Sequence, residues 1–372
     1  YEYFIRHSAG LGKSPTLKDP DIYDHRNIHC DVLVVGAGIS GILAAKNAAK
    51  NNYKTLLLDE KNELGGSTIY ENNESNKIDN KISSEWLKKE IEELKNIKNL
   101  AIKTRTSVAA YHQYNYLLAR ENLTDHLEKK DKTNKIRQRL LKIRAKKVIL
   151  ATGALERPMV FNNNDRPGIM LSSAIKKYSD FYGVACGRKI VFFTNNDSAY
   201  ESALSLNDKG IKVEAIVDIR KQSETNLEKR VIDAGVKIYW EHTVVDTSGY
   251  KRLNNVSIMK LSNDGTSVTG NKISISCDCL GVAGGWTPAV HLYTQSGNKL
   301  TFDEDKKIFI PNKNNSDQVS VGSCCGDFKL DEILKNLNEK LKDFLDITKT
   351  DFENITVNND QEISKRNIWL LP

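Results

Sequence analysis

Apolar positions along the chain fall into short runs divided by glycine-rich or charged turns, and their spacing switches between strand and helix periods. Val32-Leu33-Val34-Val35 is a continuous apolar run, as a strand buried on both faces requires. It enters Gly36-Ala37-Gly38-Ile39-Ser40-Gly41, a helical pattern follows over residues 42–50, and Thr55-Leu56-Leu57-Leu58 then delivers Asp59. The same reading predicts a helix over 83–96, a Tyr-rich strand pair over 108–118, and a basic strand ending in Lys147-Val148-Ile149-Leu150-Ala151-Thr152-Gly153. A second strand–helix–strand unit runs through Lys189-Ile190-Val191-Phe192-Phe193, residues 198–209, and Val213-Glu214-Ala215-Ile216-Val217, ending at Asp218. A strand meander is predicted near 255–279, a further strand at Val319-Ser320-Val321, and a helix over 331–344. Residues 1–29 read as an irregular arm, because Gly10, Gly12, Pro15 and Pro20 break any period.

Two strand–helix–strand units in series predict an α/β fold. The expected architecture is two Rossmann-like dinucleotide-binding domains of the glutathione-reductase type, the second inserted into the first. The predicted division is an arm over 1–29, a first domain from 30–157 plus 280–347, and a second from 158–279. Residues 348–372 are expected to be a linker to a region beyond this chain.

The first turn carries the chemistry. A bare GxGxxG is a weak signal, but here it follows a strand, opens a helix and is followed by an acid eighteen positions after the third glycine (59 minus 41). Gly36 allows the tight turn, Gly38 lets backbone approach a pyrophosphate, and Gly41 lets helix pack close to strand. Free N–H groups at the helix start then face the diphosphate. Asp59 can accept from both ribose hydroxyls of an adenosine, and its charge disfavours a 2′-phosphate. The same acid suits NAD and FAD alike. The plainer alternative is a glycine-tolerant turn with no ligand.

In the second unit, Thr194-Asn195-Asn196-Asp197-Ser198-Ala199 stands where the first has glycines. Asn tolerates positive φ, so the turn can survive, but the side chains of Thr194 and Asn196 stand where backbone must meet a diphosphate. A degraded nucleotide site is expected, with a variant site using the Asn amides as donors the alternative.

Composition narrows the remaining classes. The chain has 372 residues, 28% of them charged and 39% hydrophobic, enough for two or three cores. Its net charge of +7 is spread along the sequence, and the basic stretch from Lys129 to Lys147 interleaves with Ile136, Leu140, Leu141 and Ile143. That fits exposed strand faces, so no nucleic-acid partner is expected. No apolar run approaches the roughly 18 residues of a membrane span. The start lacks a signal peptide's features, and both ends read as cuts through a longer chain. None of the six cysteines forms a CxxC. Cys277 and Cys279 are expected on one strand face, and buried thiols in a reducing cytoplasm explain the set. His29, His126, His242 and His291 lack partners at metal-ligand spacing, so no metal site is expected. Trp286 is placed over the cofactor cleft or at a domain interface, and Glu156-Arg157 is read as a local ion pair. No catalytic residue is nominated.

The order of Gly36–Gly41, Asp59-Glu60 with Gly65-Gly66, Ala151-Thr152-Gly153, the degraded second turn and Val321-Gly322-Ser323 resembles two-dinucleotide-domain flavoprotein reductases. Longer blocks are similar to the α subunit of heterotetrameric sarcosine oxidase. They are residues 151–158, Asn164-Asp165-Arg166-Pro167-Gly168-Ile169-Met170-Leu171, Thr194 to Tyr200, Gly284-Gly285-Trp286-Thr287-Pro288 and His29-Cys30-Asp31. The resemblance implies a middle piece of a longer subunit that works with β-, γ- and δ-type partners. It implies oxidation of sarcosine on FAD in the β subunit, FMN at the α/β interface, hydrogen peroxide as product, and capture of the one-carbon unit by tetrahydrofolate through a region beyond this chain. It implies NAD in the first dinucleotide site, in a structural role.

By position, the resemblance places Ser40, Asp59, Glu60, Lys61 and Ser67 along the NAD, Val108 on the adenine side, and Cys325 and Leu330 near the pyrophosphate. Gly36, Gly38, Gly41, Gly66, Thr152, Gly153 and Gly322 complete the expected cofactor-binding set. Two other readings remain open: an autonomous FAD- and NAD(P)H-dependent reductase, and a subunit of an opine oxidase or cyanide synthase. Against the first stands Gly65-Gly66-Ser67-Thr68-Ile69-Tyr70, which lacks the redox cysteines of glutathione-reductase-like enzymes.

Overall fold

Two sheets carry the two strand–helix–strand units. The computed structural model describes residues 1–13, 15–70, 76–132, 134–312, 315–359 and 366–372. In the first sheet the strands lie in the order Leu100–Lys103, Thr55–Leu58, Ile22–Val35, Ile136–Leu150, Tyr116–Asn122 and Thr106–His112, with Gln318–Ser320 paired to Ile136–Leu150. Thr55–Leu58, Ile22–Val35, Ile136–Leu150 and Gln318–Ser320 run parallel, so their carboxyl ends open on one edge. Helices Ile39–Lys50 and Leu330–Leu345 bury Ile42, Leu43, Leu337 and Leu341 against Val32, Val34, Leu57 and Ile149. The alternate residues Leu33, Val35, Leu56, Leu58 and Val148 pack on the opposite face with Tyr111, Leu117 and Ile143. This period-2 division between two cores is why the strands read as unbroken apolar runs.

The second sheet is all parallel, ordered Ile169–Leu171, Cys279–Ala283, Lys189–Thr194, Lys212–Asp218 and Lys237–Trp240. Beside it His242–Ser248, Asn255–Leu261 and Val268–Ser276 form the expected meander. A two-stranded ribbon, Ala154–Glu156 against Trp286–Pro288, joins the two sheets.

Four expectations need correction. Residues 22–29 are not irregular: they begin the strand Ile22–Val35, which pairs along its length with Ile136–Leu150, and Glu2–Ser8 is a short helix. The polar, solvent-facing pattern of that strand extension hid it from a hydrophobicity reading. The chain does not leave the second unit at 280, because Cys279–Ala283 lies between two strands of the second sheet. Cys277 and Cys279 do not share a face. A bend at Asp278, whose carboxylate accepts from the N–H groups of Arg188 and Lys189, sends Cys277 to one core and Cys279 to the other. Finally, 348–372 is more than a linker. Thr350 and Phe352 are buried, Val357–Asn359 pairs with Asn76–Ile78, and residues 366–371 pack on the second unit, while 360–365 lie outside the described residues.

One buried ion cluster fastens the first unit. The Lys46 ammonium, on a side chain 5% exposed, lies 2.5 Å from Glu90, 2.7 Å from Glu93 and 3.3 Å from Asp351. Burial alone would lower its pKa, but the carboxylates raise it and hold the charge. Lys46→Met strands the Glu90 carboxylate among apolar neighbours. It is expected to cost about 3–5 kcal/mol in urea unfolding, and a loss under 1 kcal/mol would contradict that role.

Candidate functional site

The turn after Val35 continues the ladder of the sheet. Gly36 N–H donates to Leu58 O at 2.8 Å, Ala151 N–H to Val35 O at 2.8 Å, and Val321 N–H to Leu150 O at 2.9 Å. Four strand ends therefore meet at the start of helix Ile39–Lys50. Gly38 caps that helix with extended backbone and no side-chain bond, so the first-turn N–H groups point outward with no intrahelical acceptor.

The glycines do different work. A β-carbon on Gly36, whose φ is +99°, would lie 2.3 Å from Ala151 O, and one on Gly41 would lie 1.8 Å from Gly36 O. A β-carbon on Gly38 meets nothing within 4 Å: it would project into open space where the backbone faces the cleft. That cradle fits a diphosphate. Gly41→Ala is expected to destabilise the chain by more than about 4 kcal/mol, whereas Gly38→Ala should melt like the unsubstituted ligand-free chain yet bind no dinucleotide. Thermal melts beside ligand titrations check both, and tight binding by Gly38→Ala would contradict the cradle.

Asp59 Oδ2 accepts from Ala37 N–H at 2.6 Å and Oδ1 from Lys61 N–H at 2.8 Å. Each carboxylate oxygen keeps a further lone pair for a ribose hydroxyl. Thr106 N–H donates to Asp59 O at 2.8 Å, which brings Thr106–His112 to the adenosine side.

A cleft of about 1200 Å³ runs from this turn to the ribbon between the sheets. Of the residues expected at the cofactor, Gly36, Gly38, Ser40, Asp59, Glu60, Lys61, Gly66, Ser67, Val108, Thr152, Gly153 and Leu330 line it. Gly41, Gly322 and Cys325 do not. Gly41 is a packing contact. Gly322 seats Ser40, since a β-carbon there would lie 2.4 Å from Ser40 Oγ. Cys325 turns away from the cleft, its sulfur accepting from the Lys340 ammonium at 3.3 Å.

Sequence reasoning missed Thr106, Ser107, Ala109, His291, Lys306 and Lys329, which also line the cleft. The first three flank Val108 and were within reach of a strand reading; His291 opens the short helix His291–Gln295, and Lys306 and Lys329 come from loops with no motif. Trp286 lines the cleft from the ribbon.

Glu156 and Arg157 are not a local ion pair. Glu156 is buried and accepts from Ser173 N–H at 2.8 Å, while Arg157 donates to Lys307 O and stacks 3.8 Å from the Trp369 ring. Arg157 directly follows the strand and its N–H continues the pairing to Gly285 O, so the two consecutive side chains leave the ribbon on opposite faces.

The second turn is filled from within. Thr194 and Asn195 are fully buried and Asn196 nearly so. The Asn196 amide donates to Ala283 O at 3.0 Å and its oxygen accepts from Ser198 N–H at 3.0 Å. Asp218, the counterpart of Asp59, accepts from Arg220 at 2.7 Å and from the Tyr200 hydroxyl at 2.8 Å, and Arg220 also donates to Asp197 at 2.7 Å. The donors that a variant nucleotide site would need are spent on the chain itself. Among the described residues no cluster of three or more His, Cys, Asp or Glu is arranged to hold a metal ion, and no helix is long and apolar enough to cross a membrane.

Residues 30–329 match the family described as pyridine nucleotide-disulphide oxidoreductase. The chain is 38% identical over 321 residues to sarcosine oxidase subunit alpha of Corynebacterium sp. (strain P-1), covering 86% of this chain and 33% of that protein. It is 34% identical over 310 residues to the subunit of that name in Rhizobium meliloti (strain 1021), covering 83% and 30%. The chain thus spans about a third of the length of these relatives. Among solved structures, thioredoxin reductase of T. acidophilum superposes with a TM-score of 0.63 at 18% identity, covering 85% of this chain and 97% of that one. L-proline dehydrogenase of P. horikoshii gives 0.61 at 22%, covering 81% and 52%. These neighbours share the two-unit fold of the chain. By the match across most of its length, the chain belongs to the pyridine nucleotide-disulphide oxidoreductase family.

Proposed function

We propose that this chain is the dinucleotide-binding portion of a sarcosine oxidase α-type subunit, holding NAD in its first site. The observation that carries this reading is the contrast between the two turns. The first offers an open glycine cradle beside Asp59, whereas the second has its acid and amides bonded internally. A reductase that draws electrons from a second nucleotide needs both sites, so the contrast favours one bound dinucleotide in a structural role over an autonomous NAD(P)H-dependent reductase. The first-turn N–H groups of helix Ile39–Lys50 would hold the diphosphate, Asp59 the adenosine ribose, and Val108 with its strand neighbours the adenine. Trp286, at the ribbon end of the same cleft, would border the rest of the dinucleotide, and FAD is the alternative occupant.

In this reading, oxidation of sarcosine to glycine, reduction of oxygen to hydrogen peroxide and transfer of the one-carbon unit to tetrahydrofolate belong to a full cytoplasmic complex. That complex would contain β-, γ- and δ-type subunits, with FAD and FMN outside this chain. The relatives' name, subunit alpha, supports a multi-subunit enzyme; the finer choice between sarcosine and another amine would rest with a partner. The 372-residue chain should be purified and denatured, and its released cofactor identified by absorbance and mass. NAD without flavin supports the proposal. Stoichiometric FAD with NADPH-dependent dye reduction replaces it with the reductase, and an empty chain refutes both.

A further inference from the structure

Two crossings of the chain run side by side between the two sheets. The outbound crossing runs through Ala154–Glu156 to Val160, and the return runs from Ala283 through Trp286–Pro288. The crossings bond to each other: Arg157 N–H donates to Gly285 O and Gly284 N–H to Arg157 O, both at 2.8 Å. Gly153 (φ +71°) and Gly285 (φ +84°) stand at the ribbon's ends in a backbone region that other residues rarely adopt. A short ribbon with such ends can absorb the backbone rotation of a hinge.

Residues 366–371 lie across this ribbon. Val160 N–H donates to Trp369 O at 2.6 Å, and Leu371 N–H donates to Val160 O at 3.0 Å. The Trp369 indole N–H donates to Gly284 O at 2.6 Å, and its ring is sandwiched under the Arg157 guanidinium. One segment therefore grips the outbound and the return crossing together.

The same segment is anchored in both units. On the second unit, Arg366 N–H donates to Asn195 O at 3.0 Å, and its guanidinium donates to Ile219 O and Asn263 O at 2.6 Å each. The Asn195 and Ile219 carbonyls sit at the carboxyl ends of parallel strands, where a ligand of this fold class would enter, and Asn263 lies in a turn of the antiparallel meander. Toward the first unit, the Asn367 amide donates at 3.0 Å to Asp305 O, in the loop that also supplies Lys306 to the cleft and Lys307 O to Arg157. Leu371 is buried in the core with Met159 and Phe161, on the outbound crossing.

We propose that residues 366–371 act as a bolt that fixes the angle between the two nucleotide-binding units, holding the cleft between them at one width. The bolt does this by bonding both hinge crossings while filling the mouth of the second sheet. It is independent of which dinucleotide occupies the first site.

The test is hydrogen exchange and small-angle scattering on the 372-residue chain carrying Arg366→Ala with Trp369→Ala. The probes are the amides of Arg157 and Gly284, which donate to Gly285 O and Arg157 O and not to the bolt. Their exchange is expected to quicken at least tenfold and the radius of gyration to grow, while amides inside helices Ile39–Lys50 and Ser198–Asn207 keep their protection. Unchanged exchange at both amides with a superimposable scattering curve overturns the proposal. If the double variant unfolds throughout, Trp369→Phe decides, since it keeps the ring and removes only the bond to Gly284 O. Faster exchange at Arg157 and Gly284 in that variant supports the bolt; wild-type exchange there overturns it.

Discussion

Asp59→Ala is expected to leave the purified chain empty of its dinucleotide. The carboxylate offers charged acceptors to two neighbouring ribose hydroxyls, and a hydrogen bond to a charged group contributes about 1.5–3 kcal/mol. Losing two such bonds weakens binding by a factor on the order of 100 or more. The structure adds a second cost, because Asp59 also receives the Ala37 and Lys61 N–H groups and so shapes the turn itself. Asp59→Asn keeps an acceptor but loses the charge, and should fall between the two. Calorimetric titration with NAD, and the mass of whatever is released on denaturation, measure the effect. Full occupancy in Asp59→Ala would remove the basis of the assignment.

Glu156→Gln is expected to stabilise the chain in alkaline solution and to change little in acid. Burial pushes the Glu156 carboxyl up to about 7, against the partial relief of its bonds to Ser173. One oxygen accepts from Ser173 N–H and caps helix Ser172–Asp180, whose own cap residue, Leu171, has no side-chain bond to give. The other oxygen has no partner among the described residues. The folded pKa lies above the unfolded one, so this group's contribution is fully present below about pH 4.5 and is lost as pH rises through 7. Above that, the fold carries a buried carboxylate at a cost on the order of 3 kcal/mol. Glutamine keeps the acceptor for Ser173 and cannot ionise. Melting curves at pH 5 and pH 8.5 should show the variant gaining over the parent only at the higher pH. Equal differences at the two values would contradict a buried titrating carboxyl.

The parts of this molecule that were legible in the sequence are those where one residue type is forced by local geometry. Gly36 and Gly41 cannot carry a β-carbon, Asp59 ends a strand, and the apolar runs alternate between two cores, so the turn and both sheets could be read directly. What was not legible depends on contacts between distant segments. The strand extension 22–29 is stabilised by ladder bonds to Ile136–Leu150 and has no apolar face to announce it. Cys325 was placed by position along the chain, but Lys340, fifteen residues on, draws its thiol out of the cleft. Residues 366–371 have neither period nor motif. Their placement comes from backbone groups of Val160, Asn195 and Ile219 that a sequence does not display.

The Arg220 cluster makes the silence of the second turn hard to reverse. Putting three glycines back would free space for phosphates but leave Asp218 bound to Arg220 and Tyr200. Deleting Arg220 to release that acid would strip two carboxylates, Asp218 and Asp197, of their shared guanidinium, with Asp218 buried. Each single step toward a restored coenzyme site therefore passes through a less stable protein. The arrangement works as a ratchet, and an engineer wanting a second redox input would have to replace the whole charge cluster at once.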